Sequence, residues 1–117
     1  MGEAGYKKLI VWQKADELAR TVYLITRKFP REEVYGITSQ LRRYSLSVPL
    51  NIVEGYARKS RKEFKQFLAI ALGSLAETEY LIDFSEKLQF LDKNDHKLLQ
   101  DSRLAVGSLL WKFYKIF

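Results

Sequence analysis

The sequence predicts an all-α protein, an antiparallel four-helix bundle with up-down-up-down topology. Apolar residues recur at helical spacing along nearly the whole chain, and the alternation typical of strands is scarce. Only two prolines and six glycines interrupt the 117 residues. The connections between the predicted helices are short, which favours sequential helices that run in opposite directions.

One apolar stripe defines each of the first two helices. Helix one is predicted from about Tyr6 to Lys28, and Pro30 ends it because proline cannot continue a helical hydrogen-bond pattern. Helix two is predicted from about Val34 to Arg58. The stripe of helix one is Val11, Ala15, Leu18, Val22, Ile25 and Phe29, and the stripe of helix two is Ile37, Leu41, Tyr44, Val48 and Ile52.

Helix three begins with a capping box, in which Ser60 is the N-cap and Glu63 follows three residues later. It is predicted to end near Leu88, and helix four runs from the segment DKND to about Ile116. Helix three has two apolar stripes, so we expect it to pack on more than one side. These stripes are Phe64, Leu68, Ala71, Leu75 and Ile82, and Phe67, Ile70, Leu81, Phe84 and Leu88; helix four turns Leu99, Val106, Leu109, Phe113 and Ile116 inward.

Length and composition indicate one domain, residues 1–117, with enough apolar residues for a core. There is no cysteine, and the opening segment MGEAGYKK has no apolar core, so we expect a cytoplasmic protein without a secretion signal. No apolar run is long enough for a membrane span, and we expect no membrane partner. The net charge of +6 favours an acidic partner, although a protein can be basic without one.

Helix two contains Pro49 in its interior, and the apolar spacing continues across it, which favours a kinked helix over a break. Polar residues share one face of this helix and meet two polar positions on helix three, so we expect a buried layer that satisfies itself and fixes the register of the helices. Gly55 and Gly73 would allow close approach there. The six residues of this layer are Arg43, Ser47, Asn51, Glu54, Ser74 and Glu77.

A basic cluster follows at the corner between helices two and three. Residues 56–76 contain five bases and one acid, whereas residues 77–101 contain three bases and seven acids. This order opposes the macrodipole of helix three, which favours acids at its start. Contact with nucleic-acid phosphate, salt bridges to another subunit and a plain solvated face all remain open explanations. The candidate phosphate-binding residues are Arg58, Lys59, Arg61, Lys62 and Lys65, with Arg42 in a secondary role.

Catalytic motifs are absent from the sequence. A di-iron bundle would need Glu-x-x-His motifs on two helices, but His96 is the single histidine and position 93 is Lys. No Gly-rich phosphate loop or nucleophile set is present. We therefore expect no catalytic residue, no metal site and no cofactor.

Several motifs together resemble a known family. They are LIVWQKADELA, QLRRYSLSVPLNIVEGYAR, KEFKQFLAIALGSLAETEYLI, DKNDHKLLQ and the aromatic C-terminal end. The chain resembles the small four-helix bundle proteins first noted as reading frames in intervening sequences of bacterial large-subunit ribosomal RNA genes. It is also similar to the accessory proteins of diversity-generating retroelements, which partner a reverse transcriptase.

The resemblance implies a ring-shaped homopentamer of four-helix subunits and a nucleic-acid-binding role. Off-stripe aromatic residues agree with self-association: Trp12, Tyr23, Tyr56, Trp111, Tyr114 and Phe117. We expect a non-enzymatic oligomeric accessory protein that binds RNA or DNA and that has a reverse transcriptase as a candidate partner. The alternative is a structural or protein-interaction scaffold without a nucleic-acid role.

Overall fold

The computed structural model describes residues 5–117, which form four α-helices and contain no strand. The helices are α1 (Ile10–Thr26), α2 (Ile37–Ala57), α3 (Arg61–Lys87) and α4 (Lys93–Ile116). All four predicted helices are confirmed, but the first begins later because a separate 3-10 turn, Tyr6–Lys8, precedes it. The first four residues of MGEAGYKK, and with them part of the expectation about a secretion signal, lie outside the described residues.

Each helix packs against two others. α1 contacts α2 and α4, and α3 contacts the same two helices, around a core that follows the long axis of a 43 × 23 × 21 Å molecule. The predicted stripe of α1 is buried in full. The most deeply buried side chains of the other helices include Leu41, Ile52, Leu68, Ile82 and Leu99. Within residues 5–117, no helix is both long and apolar enough to cross a membrane.

Side chains cap the starts of α3 and α4. The Ser60 hydroxyl accepts a hydrogen bond from the Glu63 N–H at 3.0 Å, which confirms the predicted cap. The Asp92 carboxylate accepts one from the Asp95 N–H at 2.7 Å. α3 ends where Gln89 adopts a φ of 66°, in the left-handed region that terminates many helices.

α2 continues without a break through Pro49, which is buried. The preference for a continuous helix is therefore confirmed. Gly55, further along the same helix, packs closely against α3: a Cβ built on it would lie 2.6 Å from Cδ1 of Phe64. The expected close approach at Gly73 is wrong for this chain, because a Cβ there would meet nothing within 4 Å.

The second apolar stripe of α3 lies largely on the surface of the subunit. Ile70, Phe84 and Leu88 are exposed by 51%, 41% and 48%, and Phe67 and Leu81 are partly buried. We expected both stripes of α3 to be packed, and within a single chain the first stripe is packed whereas the second is largely exposed. The neighbouring helices cover the first stripe and only part of the second, so Ile70, Phe84 and Leu88 remain as an apolar strip facing solvent.

Candidate functional site

Three segments that are distant in sequence meet at one end of the bundle. The Arg61 guanidinium at the start of α3 donates to the Ile116 carbonyl at the end of α4, at 2.9 Å. A Cβ built on Gly5 would lie 3.1 Å from the ring of Tyr56, which places the 3-10 turn beside the end of α2. We call the surface formed by residues 5–8, 54–65 and 112–117 the basic end.

The basic end accounts for the net charge of the protein. It contains nine lysines and arginines and two acids, a formal charge of +7, compared with +6 for the whole chain. The remaining residues are therefore close to neutral. The nine bases are Lys7, Lys8, Arg58, Lys59, Arg61, Lys62, Lys65, Lys112 and Lys115.

These charges are poorly neutralised by the protein. In the part of the chain that the structure describes, only Arg58 among the nine has a carboxylate partner, Glu54, at 2.8 Å. Elsewhere ion pairs are common, as between Arg103 and Glu79 at 3.3 Å. Other paired bases outside the basic end are Lys14, Arg20, Lys28 and Lys97. The basic end therefore presents positive charge that is available to an external anion.

Aromatic rings lie against four of these cations, one of which is Lys115, 5.7 Å from the ring centroid of Trp111. The guanidinium of Arg61 lies 4.6 Å from the ring centroid of Phe117, and the ammonium of Lys65 lies 4.7 Å from that of Tyr114. Arg58 lies 4.9 Å from the ring of Phe67. Such contacts contribute about 0.5–1 kcal/mol at exposed sites, and they leave the positive charge intact.

A shallow groove of about 440 Å³ runs between α3 and α4 beside these cations. Next to it, the rings of Trp111 and Tyr114 stack at 5.5 Å with an angle of 14° between their planes. The groove is lined by Lys62, Lys65, Gln66, Ala69, Tyr114 and Phe117.

Sequence reasoning did not assign Lys112 and Lys115 to the site. It also treated Trp111, Tyr114 and Phe117 only as candidate oligomer contacts. The signal that sequence alone lacks is the contact between the end of α4 and the start of α3, which the hydrogen bond from Arg61 to the Ile116 carbonyl makes.

The structure places five of the six predicted phosphate-binding residues at the basic end, and Arg42 elsewhere. The Arg42 guanidinium donates to the Thr26 hydroxyl at 2.8 Å and lies 4.9 Å from the ring of Tyr23, so it holds α2 to the end of α1. Arg42 precedes Arg58 by sixteen residues, about 24 Å along a helix. It therefore does not extend the basic end.

The expected polar layer is smaller than predicted. The hydroxyls of Ser47 and Ser74 are 2.8 Å apart, and the Asn51 amide donates to the Ser47 hydroxyl at 2.9 Å. The Ser47–Ser74 hydrogen bond links α2 to α3, and Asn51 holds Ser47 from within α2.

The other three predicted members lie outside the layer. Glu54 is exposed and pairs with Arg58, and Glu77 is also exposed. Arg43 is exposed, with its guanidinium 5.9 Å from the ring of Tyr44. The physical reason is desolvation: a charged group at the edge of a helix interface stays hydrated, because burial without full compensation costs several kcal/mol.

A second polar network joins α3 and α4 towards the opposite end. His96 and Asp83 are 2.8 Å apart, and the Gln100 amide donates to the same carboxylate oxygen at 2.8 Å. The hydrogen bond with His96, together with that from Gln100 and the nearby positive charge, lowers the pKa of the Asp83 carboxyl below its usual value. Residues 5–117 contain no group of three His, Cys, Asp or Glu residues placed to hold a metal ion.

Comparison with known proteins identifies the family. The family model described as 23S rRNA-intervening sequence protein matches residues 7–112. Among solved structures, the chain is similar to a protein of unknown function from the S23 ribosomal protein family of Bacteroides thetaiotaomicron VPI-5482. The two share 25% identity with a TM-score of 0.82, over 91% of this chain and 99% of the other. No curated protein matches the sequence. The predicted resemblance is thus confirmed: the chain belongs to the 23S rRNA-intervening sequence protein family.

Proposed function

We propose that this protein is a non-enzymatic, cytoplasmic accessory protein that binds RNA or DNA through its basic end. One observation carries the proposal: eight of the nine bases there have no carboxylate partner within residues 5–117. A polyanion that binds such a surface releases its condensed counterions, which supplies most of the affinity in sequence-independent binding. The family description refers to ribosomal RNA genes and agrees with a role near nucleic acid.

Salt titration tests this proposal. A labelled 20-nucleotide RNA and a DNA of the same length are titrated with the protein at several salt concentrations. The logarithm of the binding constant should fall linearly with the logarithm of salt concentration, with a slope of about −0.7 to −0.9 per phosphate contact. Affinity that is absent, or that does not change with salt, would contradict the proposal.

A pair of charge reversals locates the binding surface. Lys59→Glu with Lys62→Glu removes two exposed cations from the basic end, and each lost phosphate contact should make the salt slope shallower by about one unit. The matched control is Lys87→Glu with Lys93→Glu, two exposed lysines that flank the connection between α3 and α4. Both variants change the net charge equally, so an equal loss of affinity would show that the basic end is not the binding surface.

The proposal includes self-assembly of an antiparallel bundle into a ring of five subunits. The end of α4 lies beside the start of α3, and the end of α1 lies beside the start of α4 through the ion pair of Lys28 with Asp95, as an up-down order requires. The exposed strip on α3 and exposed Leu24 and Leu50 offer apolar surface for subunit contacts.

Sedimentation equilibrium tests the ring by mass. The expected result is five chain masses, and Phe84→Glu should release smaller species, because it places a charge in the apolar strip. A wild-type monomer at micromolar concentration would contradict self-assembly. If the Lys59 and Lys62 reversal dissociated an oligomer that binds no nucleic acid, the scaffold alternative would replace the proposal.

A further inference from the structure

The groove between α3 and α4 joins two kinds of binding chemistry. One wall consists of the rings of Tyr114 and Phe117 at the end of α4, and Trp111 lies beside the groove, stacked on Tyr114. The opposite wall is the first part of α3, with Lys62 and Lys65. Ala69 contributes only a methyl group, so this wall leaves the groove open.

Trp111 presents a flat apolar surface to solvent. Its side chain is 50% exposed even though Tyr114 covers part of it through a nearly parallel stack. The ammonium of Lys115 lies 5.7 Å from the Trp111 ring centroid. The indole therefore lies beside a cation and keeps half of its surface accessible to a ligand.

An unpaired nucleotide matches both walls together. Its base offers a π-face to an aromatic ring, and its phosphate offers charge to the lysines across the groove. A duplex keeps its bases stacked on one another and offers this groove only phosphates. A cationic surface without a ring would distinguish single-stranded from duplex nucleic acid only by charge density. An exposed aromatic ring adds affinity only for the single strand, whose bases are free to stack.

We propose that Trp111, beside the groove between α3 and α4, stacks an unpaired base, so that the basic end prefers single-stranded over duplex nucleic acid. This inference rests on the proposed nucleic-acid binding and specifies its ligand class. Lys62, Lys65, Lys112 and Lys115 supply the charge along the strand, whereas Trp111 supplies the discrimination.

Intrinsic fluorescence reports on the stack directly. The chain has two tryptophans, and Trp12→Phe leaves Trp111 as the single tryptophan, which is excited selectively at the red edge where tyrosine does not absorb. This reporter variant is checked for an unchanged melting temperature and is titrated with a 12-nucleotide oligouridylate and with an RNA duplex of 12 base pairs. The single strand should quench Trp111 emission on binding, and the duplex should leave it nearly unchanged.

Substitution of the ring measures its contribution. In the otherwise wild-type chain, Trp111→Ala should weaken single-strand binding about 5-fold or more, the equivalent of one base stack, and leave duplex binding within about 2-fold. Trp111→Phe, which keeps an aromatic face, should restore most of the affinity. The matched control is Tyr35→Ala, since Tyr35 is 94% exposed in the connection between α1 and α2 and should not affect binding.

The outcomes separate this inference from the function on which it rests. Equal affinity for both forms with unchanged Trp111 emission would overturn the stacking inference and leave the proposed function standing. Loss of both affinities together with loss of the oligomer would identify Trp111 as a subunit contact and also overturn it. Binding to anionic lipid vesicles but to neither nucleic acid would overturn both proposals.

Discussion

Gly55 and Gly73 are interior helix positions at which the same substitution should have opposite effects. Replacing a helical glycine by alanine gains about 1 kcal/mol of helix propensity. At Gly73 the new Cβ meets nothing within 4 Å, so Gly73→Ala should raise the free energy of unfolding by about that amount.

At Gly55 the same methyl group has no room. It would lie 2.6 Å from Cδ1 of Phe64 and 3.0 Å from Cβ of Phe67, and the second contact is close to the backbone of α3. Removing this steric clash requires α2 and α3 to separate, and overpacking of this kind costs about 1–3 kcal/mol. Gly55→Ala should thus be neutral to destabilising by about 2 kcal/mol after the gain in propensity.

Urea unfolding of both variants and the wild type measures the difference. The gain in helix propensity is common to both substitutions. The difference in unfolding free energy between the two variants therefore isolates the steric cost at Gly55, about 1–3 kcal/mol. Unfolding free energies that agree within about 0.5 kcal/mol would refute the packing argument. A destabilising Gly73→Ala would instead show that another surface approaches α3 there.

Three further predictions follow from individual contacts. Arg42→Gln should lower the free energy of unfolding by about 1 kcal/mol in urea and leave nucleic-acid affinity unchanged, because Arg42 joins α2 to α1 away from the basic end. In thermal melts, Ser74→Ala should cost about 0.5–1.5 kcal/mol and exposed Glu77→Ala less than about 0.5 kcal/mol; equal effects would contradict the three-residue polar layer. The pKa of Asp83 is lowered by the hydrogen bond with His96, so its contribution to stability is full above the usual value of 3.8 and is lost as the pH falls through the folded-state value. Between about pH 6 and pH 3, wild type should therefore lose more unfolding free energy than Asp83→Asn.

Local patterns predicted the helices well because the forces that define a helix are local. The stripe from Val11 to Phe29 identifies the inward face of α1, and the pair Ser60 and Glu63 identifies the start of α3. Both depend on spacing within a few turns of chain. The turn at Tyr6–Lys8 was not predicted, because its two lysines and tyrosine fit the helical pattern equally well.

The spacing of residues along a helix shows which of them share a face, but it does not show which of them are buried against the neighbouring helix. Ser47, Asn51 and Glu54 share a side of α2, yet the first two join the hydrogen-bonded layer and the third reaches solvent. The difference depends on the neighbouring helix, since a carboxylate near the rim can remain hydrated. For the same reason, the second stripe of α3 predicted a packing partner but did not show that, within residues 5–117, Ile70, Phe84 and Leu88 stay exposed.

The candidate site required tertiary information because its charges come from three segments. The bases at Arg58 to Lys65 are visible in sequence as a cluster, whereas Lys112 and Lys115 look unremarkable at the end of a helix. Only the packing of α4 against α3 brings the two groups together. Arg42 shows the converse: we expected it to take a secondary part in this surface, but it lies sixteen residues before Arg58 and bonds to Thr26 at the end of α1.

Positive charge is concentrated at the basic end, so the charge distribution is strongly asymmetric along the long axis of the molecule. Salt at physiological concentration screens charges over about 8 Å, far less than the 43 Å length of the molecule. The nearly neutral remainder of the molecule therefore cannot offset the electrostatic potential at the basic end. An approaching polyanion would therefore turn the protein before contact, and two copies meeting head to head would repel. If copies of the chain associate, contact through the sides of the bundle would leave each basic end accessible.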